Sequence, residues 1–316
     1  MIRIDRILVG HDFSSFSDAA LLEAARLSRR VGAAVHVAFV EVLHNELPHV
    51  EVNAASRVDY FRGELRKRFS SMANGYEQYF DGVELHYEVL RDVAAAPALI
   101  AYAEETKIDL IVVGTHGRRG VRRLLMGSVA EEVVRRAPCP VLTINEELSA
   151  IAEFPGRTIV APVDFSKHSL LAVRHVKELA SAMDVDVVLT HVLEERLHPA
   201  FYNTGMFSQY DDIPNIDQRI SKELKAFFEK AEGPEVGVEY AIRRGHAVKE
   251  IVRVAREYAP SMIVMATHGL TGLDHFLLGS VTEKVIRHAE RPVLTIKSFG
   301  KRLVDDPPTR TEVATS

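Results

Sequence analysis

Two segments of this 316-residue chain, 152 residues apart, are near copies. Laid without a gap, 114–144 on 266–296 matches at 17 of 31 positions, which requires a duplicated unit rather than one large domain. At roughly 150 residues per domain the length accommodates two such units, each long enough to bury its own core. The repeat divides the chain into a first domain over 1–147, a linker over 148–157, a second domain over 158–298 and a loose tail over 299–316.

Within each copy, short apolar runs alternate with stretches of helical periodicity. Residues 6–9 form an apolar run, Asp12-Phe-Ser-Ser-Phe-Ser-Asp18 supplies helix-capping residues, and Ala19, Ala20, Leu21, Ala24, Ala25, Leu27 and Val31 recur at helical spacing. The second copy repeats the order: run 158–163, the identical Asp164-Phe-Ser166, and a helix over 170–182. Strands at 35–42 and 185–193 follow, then divergent segments with helices expected at 57–79 and 217–231. Alternating strands at 85–89 and 238–242 come next, then helices at 96–106 and 248–258. A fourth strand delivers a glycine-bearing loop, a helix opens at Ser128 or Ser280, and Pro140-Val-Leu-Thr-Ile144 or Pro292-Val-Leu-Thr-Ile296 forms a fifth strand. The expected fold is therefore α/β: two tandem doubly wound domains, each with a five-stranded parallel sheet and right-handed crossovers.

Bulk composition narrows the function classes. A content of 47 % hydrophobic and 26 % charged residues is that of a globular chain, and no apolar run approaches the roughly 20 residues of a bilayer span. No membrane association is expected, and the start of the sequence leads straight into a strand, so a cytoplasmic location is expected. A net charge of −5 offers no attraction to phosphate polymers, which disfavours nucleic acid as a partner. The single cysteine, Cys139, sits between two prolines before an apolar strand and reads as a structural thiol.

Ligands of doubly wound sheets bind beyond the carboxyl ends of the strands. The special residues fall there: Asp12 and Asp164 after the first strands, Val40 and Val192 near the ends of the second, and the glycine loops after the fourth. In the first loop Gly114, Gly117, Gly127 and Ser128 are spaced so that backbone N–H groups and a helix N-terminus form an anion site. Asp12 and Asp164 have a competing role as helix caps. His116 and His268 occupy equal loop positions, able to reach a phosphate or to orient the loop. Arg118, Arg119, Arg122 and Arg123 read as phosphate-steering or as a solvated basic face. Neither His116 nor His268 has a partner at metal-ligand spacing, so any Mg²⁺ would arrive on nucleotide phosphates.

This residue set resembles the universal stress protein family in its tandem form, over nearly all of 3–144 and 157–296. The resemblance implies an adenine nucleotide alpha hydrolase-like fold, ATP as ligand and a role in stress response. It implies nucleotide contacts at Asp12, Val40, Gly114, Gly117, Gly127, Ser128 and Val129, and at Asp164, Val192, Gly269, Gly279, Ser280 and Val281. His116, Arg118 and His268 join the candidate set from their loop positions. The second copy departs from the pattern at Ala266, whose methyl group is expected to crowd a close ligand.

No nucleophile elbow, Walker lysine or paired carboxylate accompanies the motif, so the expected function is an ATP-binding sensor with little or no turnover. Two other readings stand beside it: a structural adaptor that binds no nucleotide, and a slow ATP-hydrolysing enzyme. The apolar fifth strands are expected at sheet edges, where they invite pairing of the two halves as an intrachain pseudo-dimer, with a homodimer as a further step.

Overall fold

A computed structural model describes residues 2–43, 54–73, 76–115, 126–145, 156–194, 215–267 and 278–304. The first half contains β1 (Arg6–Gly10), α1 (Ser15–Val31), β2 (Ala34–Val42), α2 (Ala54–Ala73), α3 (Glu77–Phe80), β3 (Leu85–Asp92), α4 (Ala95–Glu105), β4 (Leu110–Gly114), α5 (Ser128–Arg136) and β5 (Val141–Ile144). The second repeats the plan: β6 (Thr158–Pro162), α6 (Lys167–Met183), β7 (Asp186–Glu194), α7 (Ile216–Lys230), β8 (Val238–Gly245), α8 (Ala247–Tyr258), β9 (Met262–Ala266), α9 (Ser280–His288) and β10 (Val293–Ile296). The helix expected over 57–79 is two helices, α2 and α3, on either side of Asn74-Gly75.

The ten strands form one sheet in the order β3-β2-β1-β4-β5-β10-β9-β6-β7-β8. Within each half all neighbours are parallel, as the strand–helix alternation requires. Among the described strands, the pairing of β5 with β10 is antiparallel and forms the seam between the halves, with Leu142 opposite Leu294. Two fully buried threonines close it reciprocally: Thr143 Oγ1 donates to Val293 O and Thr295 Oγ1 to Val141 O, both at 3.1 Å. Burying a hydroxyl without a partner is costly, so these bonds fix the register. The fifth strands are thus edges of their own halves and the centre of the whole sheet; the free edges are β3 and β8.

One core lies under α1, α2, α6 and α7, the other under α4, α5, α8 and α9. Strands covered on both faces explain the unbroken apolar sequences of β4 and β9 and the apolar run Ile7-Leu8-Val9 of β1. Helix α1 starts at Ser14, whose hydroxyl accepts from Ser17 N, and ends at Gly32 in the left-handed conformation.

The tail, expected to be loose from 299, is seated through Val304. Leu303 is fully buried, Arg3 N donates to Leu303 O at 2.7 Å, and Ile2 bridges Val304. Two buried apolar side chains and main-chain pairing outweigh the entropy that polar composition alone led one to expect. Residues 305–316 lie outside the described set.

Candidate functional site at the strand ends

The parallel registers bring three loops to one level. Gly10 is opposite Ala38 on one side and Val113 on the other, so Asp12, Val40 and Thr115 stand two residues further along, at the carboxyl ends of β1, β2 and β4. The second half matches: Pro162 is opposite Thr190, and Val160 opposite Ile263, which places Asp164 level with Val192 and near Thr267. Val40 and Val192 are partly buried against the core beneath α4 and α8.

Asp12 and Asp164 do not cap the helices. Ser14 and Ser166 do, accepting from Ser17 N and Ser169 N, while the aspartates hold the serines. Asp12 Oδ1 accepts from Ser14 N at 3.1 Å and Ser14 Oγ at 2.6 Å; Asp164 Oδ1 accepts from Ser166 N at 3.1 Å and from Ser169 Oγ. Between aspartate and serine the backbone turns through Phe13 and Phe165, at φ 66° and 61°. Such a conformation costs a bulky residue about 1–3 kcal/mol and persists only when neighbours impose it. Aromatic packing does so twice: Phe13 lies 5.0 Å from Phe39, and Phe165 lies 4.6 Å from His191 and 5.4 Å from Phe227. The sequence shows the repeated Asp-Phe-Ser, but not its strained turn.

The fourth-strand loop is clamped at its base. Gly127 N donates to Thr115 O and Gly279 N to Thr267 O, each at 2.7 Å. A Cβ at Gly279 would lie 2.9 Å from Thr267 O, closer than the backbone can accept without shifting, and one at Gly127 would lie a tight 3.1 Å from Thr115 O, so close backbone approach favours glycine at both positions. Neither glycine offers a side-chain cap to the helix that follows. The first-turn N–H groups of α5 and α9 therefore lack the serine oxygen that α1 and α6 have, and Ser128 and Ser280 are exposed. Positive helix ends without a side-chain cap suit an anion. Val129 is 37 % exposed beside Ser128, and Val281 is partly buried.

Gly114 answers to a different neighbour. A Cβ there would lie 3.0 Å from Phe16, at the start of α1. The methyl of Ala266, at the matching position, packs with the core beneath α6. The expected crowding of a ligand by Ala266 is corrected accordingly: that methyl points at protein. His116, Gly117 and Arg118, together with Arg119, Arg122 and Arg123, lie outside the described residues, as do His268 and Gly269.

The halves differ in charge near the site. In the first, buried His11 Nε2 lies 3.2 Å from Asp18 Oδ1, which also accepts from Arg68 Nε at 3.1 Å. Phe13 N donates to His11 Nδ1 at 3.2 Å, so the histidine ties the strained turn to α1. Burial pushes the Asp18 carboxyl up, but the bonds from His11 and Arg68 outweigh it and hold the group below its ordinary value. Buried Glu41, at the end of β2, pairs with Arg57 and, at 2.9 Å, with Arg91. The second half has Val163, Leu170 and Leu193 where the first has His11, Asp18 and Glu41. That contrast was readable from the duplication, but not that the residues meet. Burial pushes the Cys139 thiol up to about 12, which leaves it protonated and consistent with a structural role. Among the described residues no cluster of three or more metal-ligating side chains occurs, and no helix is long and apolar enough to cross a membrane.

Comparison with known proteins places these features. The family model described as "Universal stress protein family" matches residues 3–145 and again 156–297. A universal stress protein of Mycolicibacterium smegmatis is 25 % identical over 312 residues, covering 92 % of this chain and 96 % of that one. Universal stress protein MJ0577 of Methanocaldococcus jannaschii is 33 % identical over 153 residues, 45 % of this chain and 94 % of its own. A solved universal stress protein structure from Archaeoglobus fulgidus matches with a TM-score of 0.60 at 21 % identity, covering 93 % of this chain and 97 % of that one.

Proposed function

Because the chain belongs to the universal stress protein family, we propose that it is a stress-response protein that binds ATP at the strand ends and acts as a nucleotide-dependent sensor with little or no turnover. The observation that carries this reading is the convergence, at the ends of β1 and β4, of a carboxylate held by a strained turn and a helix N-terminus without a side-chain cap. An adenylate has complementary ends: phosphates for the α5 amides, a nucleoside for Asp12 and the exposed flank of Val40. Gly114, Gly127, Ser128 and Val129 form the described wall of this site, and His116, Gly117 and Arg118 are assigned to the phosphate side from their spacing in the sequence. The second set, Asp164, Val192, His268, Gly269, Gly279, Ser280 and Val281, is proposed as a weaker site. Mg²⁺ would be carried by the phosphates. The β5–β10 seam supports reading the two halves as an intrachain pseudo-dimer; a cytoplasmic location and further homodimerisation belong to the same proposal.

A second reading has its own support: Thr115 O and Thr267 O explain the glycines at 127 and 279 without any ligand, as a scaffold serving only assembly would require. Isothermal titration with ATP and AMP, with and without Mg²⁺, separates the two. The sensor reading expects saturable binding at or below millimolar nucleotide, weakened by Asp12→Ala; the adaptor reading expects no heat of binding.

A further inference from the structure

Where α1 and α6 meet above the seam there is a crevice of about 360 Å³, far from the strand-end loops. Its floor is apolar, formed by Leu27, Leu142, Met183 and Met262. Its rim carries four arginines, Arg26, Arg29, Arg30 and Arg291, against one acid, Glu23. Burial pushes the Glu23 carboxyl up, opposed by Arg26 and Arg291, so the rim is strongly cationic in either protonation state.

The duplication supplies an internal comparison. The 152-residue offset maps Glu23 onto His175, Ser261 onto Asp109 and Gly156 onto Ile4. At that matching place the chain's own tail fills the space: Leu303 N donates to His175 Nε2 at 3.3 Å, and Lys301 pairs with Asp109. An apolar side chain thus enters between helix and strand while a basic neighbour meets an acidic rim. The open crevice keeps the apolar floor and inverts the charge, since Arg26, Arg29, Arg30 and Arg291 replace Glu178, Ser181, Ala182 and Cys139. By the same offset Arg3, whose N donates to Leu303 O, corresponds in sequence to Pro155, and proline has no N–H to give. That favours a small molecule over a peptide strand, and the volume lies in the range of small-molecule sites.

We propose that this crevice binds an amphipathic organic carboxylate of the fatty-acid class, its apolar body on the Leu142–Met262 floor and its acid group among Arg29, Arg30 and Arg291. Guanidinium forks match a planar carboxylate, and the apolar floor rejects fully hydrated anions.

Titration of the full chain with decanoate, decanol and inorganic phosphate, followed by calorimetry and by ¹³C-methyl spectra of the methionines, tests it. Decanoate is expected to bind saturably, one per chain, with shifts at Met183 and Met262, and decanol at least about tenfold more weakly. The double variant Arg30→Ala, Arg291→Ala is expected to weaken decanoate by about tenfold or more while its methyl spectrum shows the native fold. Absence of decanoate binding, equal binding of decanol, preference for phosphate alone, or shifts confined to other methyls overturns the proposal. Should the double variant fail to fold, the comparison of decanoate with decanol on the native chain decides alone.

Discussion

Gly127 and Gly279 show how one residue type serves two ends. Each is favoured as glycine because a carbonyl oxygen crowds the place where a Cβ would project, and each leaves the next helix without a side-chain cap. Gly127→Ala is expected to cost about 1–3 kcal/mol in denaturant unfolding, through forced separation of Thr115 O from α5. Its effect on nucleotide affinity should track loss of the clamp. Asp12 separates structure from ligand more cleanly. Asp12→Asn retains an acceptor for Ser14 and should unfold at nearly the native denaturant midpoint, yet bind ATP more weakly. Asp12→Ala should lose on both counts. If Asp12→Asn binds ATP as the native chain does, the carboxylate has no part in the ligand site.

At the scale of elements, the C-terminal segment 299–304 is a strap seated against the buried His175. Burial lowers His175 to about 4 from an ordinary 6.5, so the folded chain keeps it neutral, with Nδ1 bonding Leu171 O at 2.9 Å and Nε2 accepting from Leu303 N. A depressed histidine contributes its full stability above about 6.5 and loses it as pH falls toward 4, because the unfolded form binds the proton first. The protection factor of the Leu303 amide, its exchange rate taken relative to the intrinsic rate at each pH, should therefore fall between pH 6.5 and 4, and His175→Phe should remove that dependence. Unchanged protection across this interval would mean that the histidine does not hold the strap.

Element type was largely legible in the sequence, because 3.6- and 2-residue periods report which faces are buried, and strands 141–144 and 293–296 were marked by identical Pro-Val-Leu-Thr-Ile. What was hidden is partly local, the serine caps that displaced Asp12 and Asp164, and partly set by partners distant in sequence: the packing around the left-handed Phe13 and Phe165, and the burial of Leu303 within a tail that composition marked as loose. The candidate site was legible as a set of positions at strand ends. The reason for glycine at 114 and 127 was not, since Phe16 and Thr115 O become neighbours only in the fold.

The described strands of both halves join in one sheet because two edges that would otherwise be exposed satisfy each other. Asn145 reinforces the seam: its side-chain amide donates to Ala289 O at 2.9 Å and to Ile286 O, closing the end of a helix in the other half. Lys297 adds a second tie, donating to Ala137 O at 2.7 Å from a site only 2 % exposed. Burial lowers its amine to about 7 from an ordinary 10.5. Between those values the unfolded chain binds the proton more tightly, so stability rises with pH from about 7 toward 10.5, and below about 7, where both states hold the proton, this group adds no further pH dependence. The melting temperature should climb over that interval in the native chain and stay flatter in Lys297→Met. A native profile without this rise would show that the amine is not held in the low-dielectric seam.

Central to the proposed ATP site is a helix end without a side-chain cap beside an oriented carboxylate, in a duplicated stress-protein fold. Calorimetric titration of the intact chain with ATP, repeated on Asp12→Asn, tests it most directly. Saturable binding in the native chain, at least several-fold weaker in the variant, is the expected result. No binding at millimolar ATP, or identical isotherms for both proteins, contradicts it.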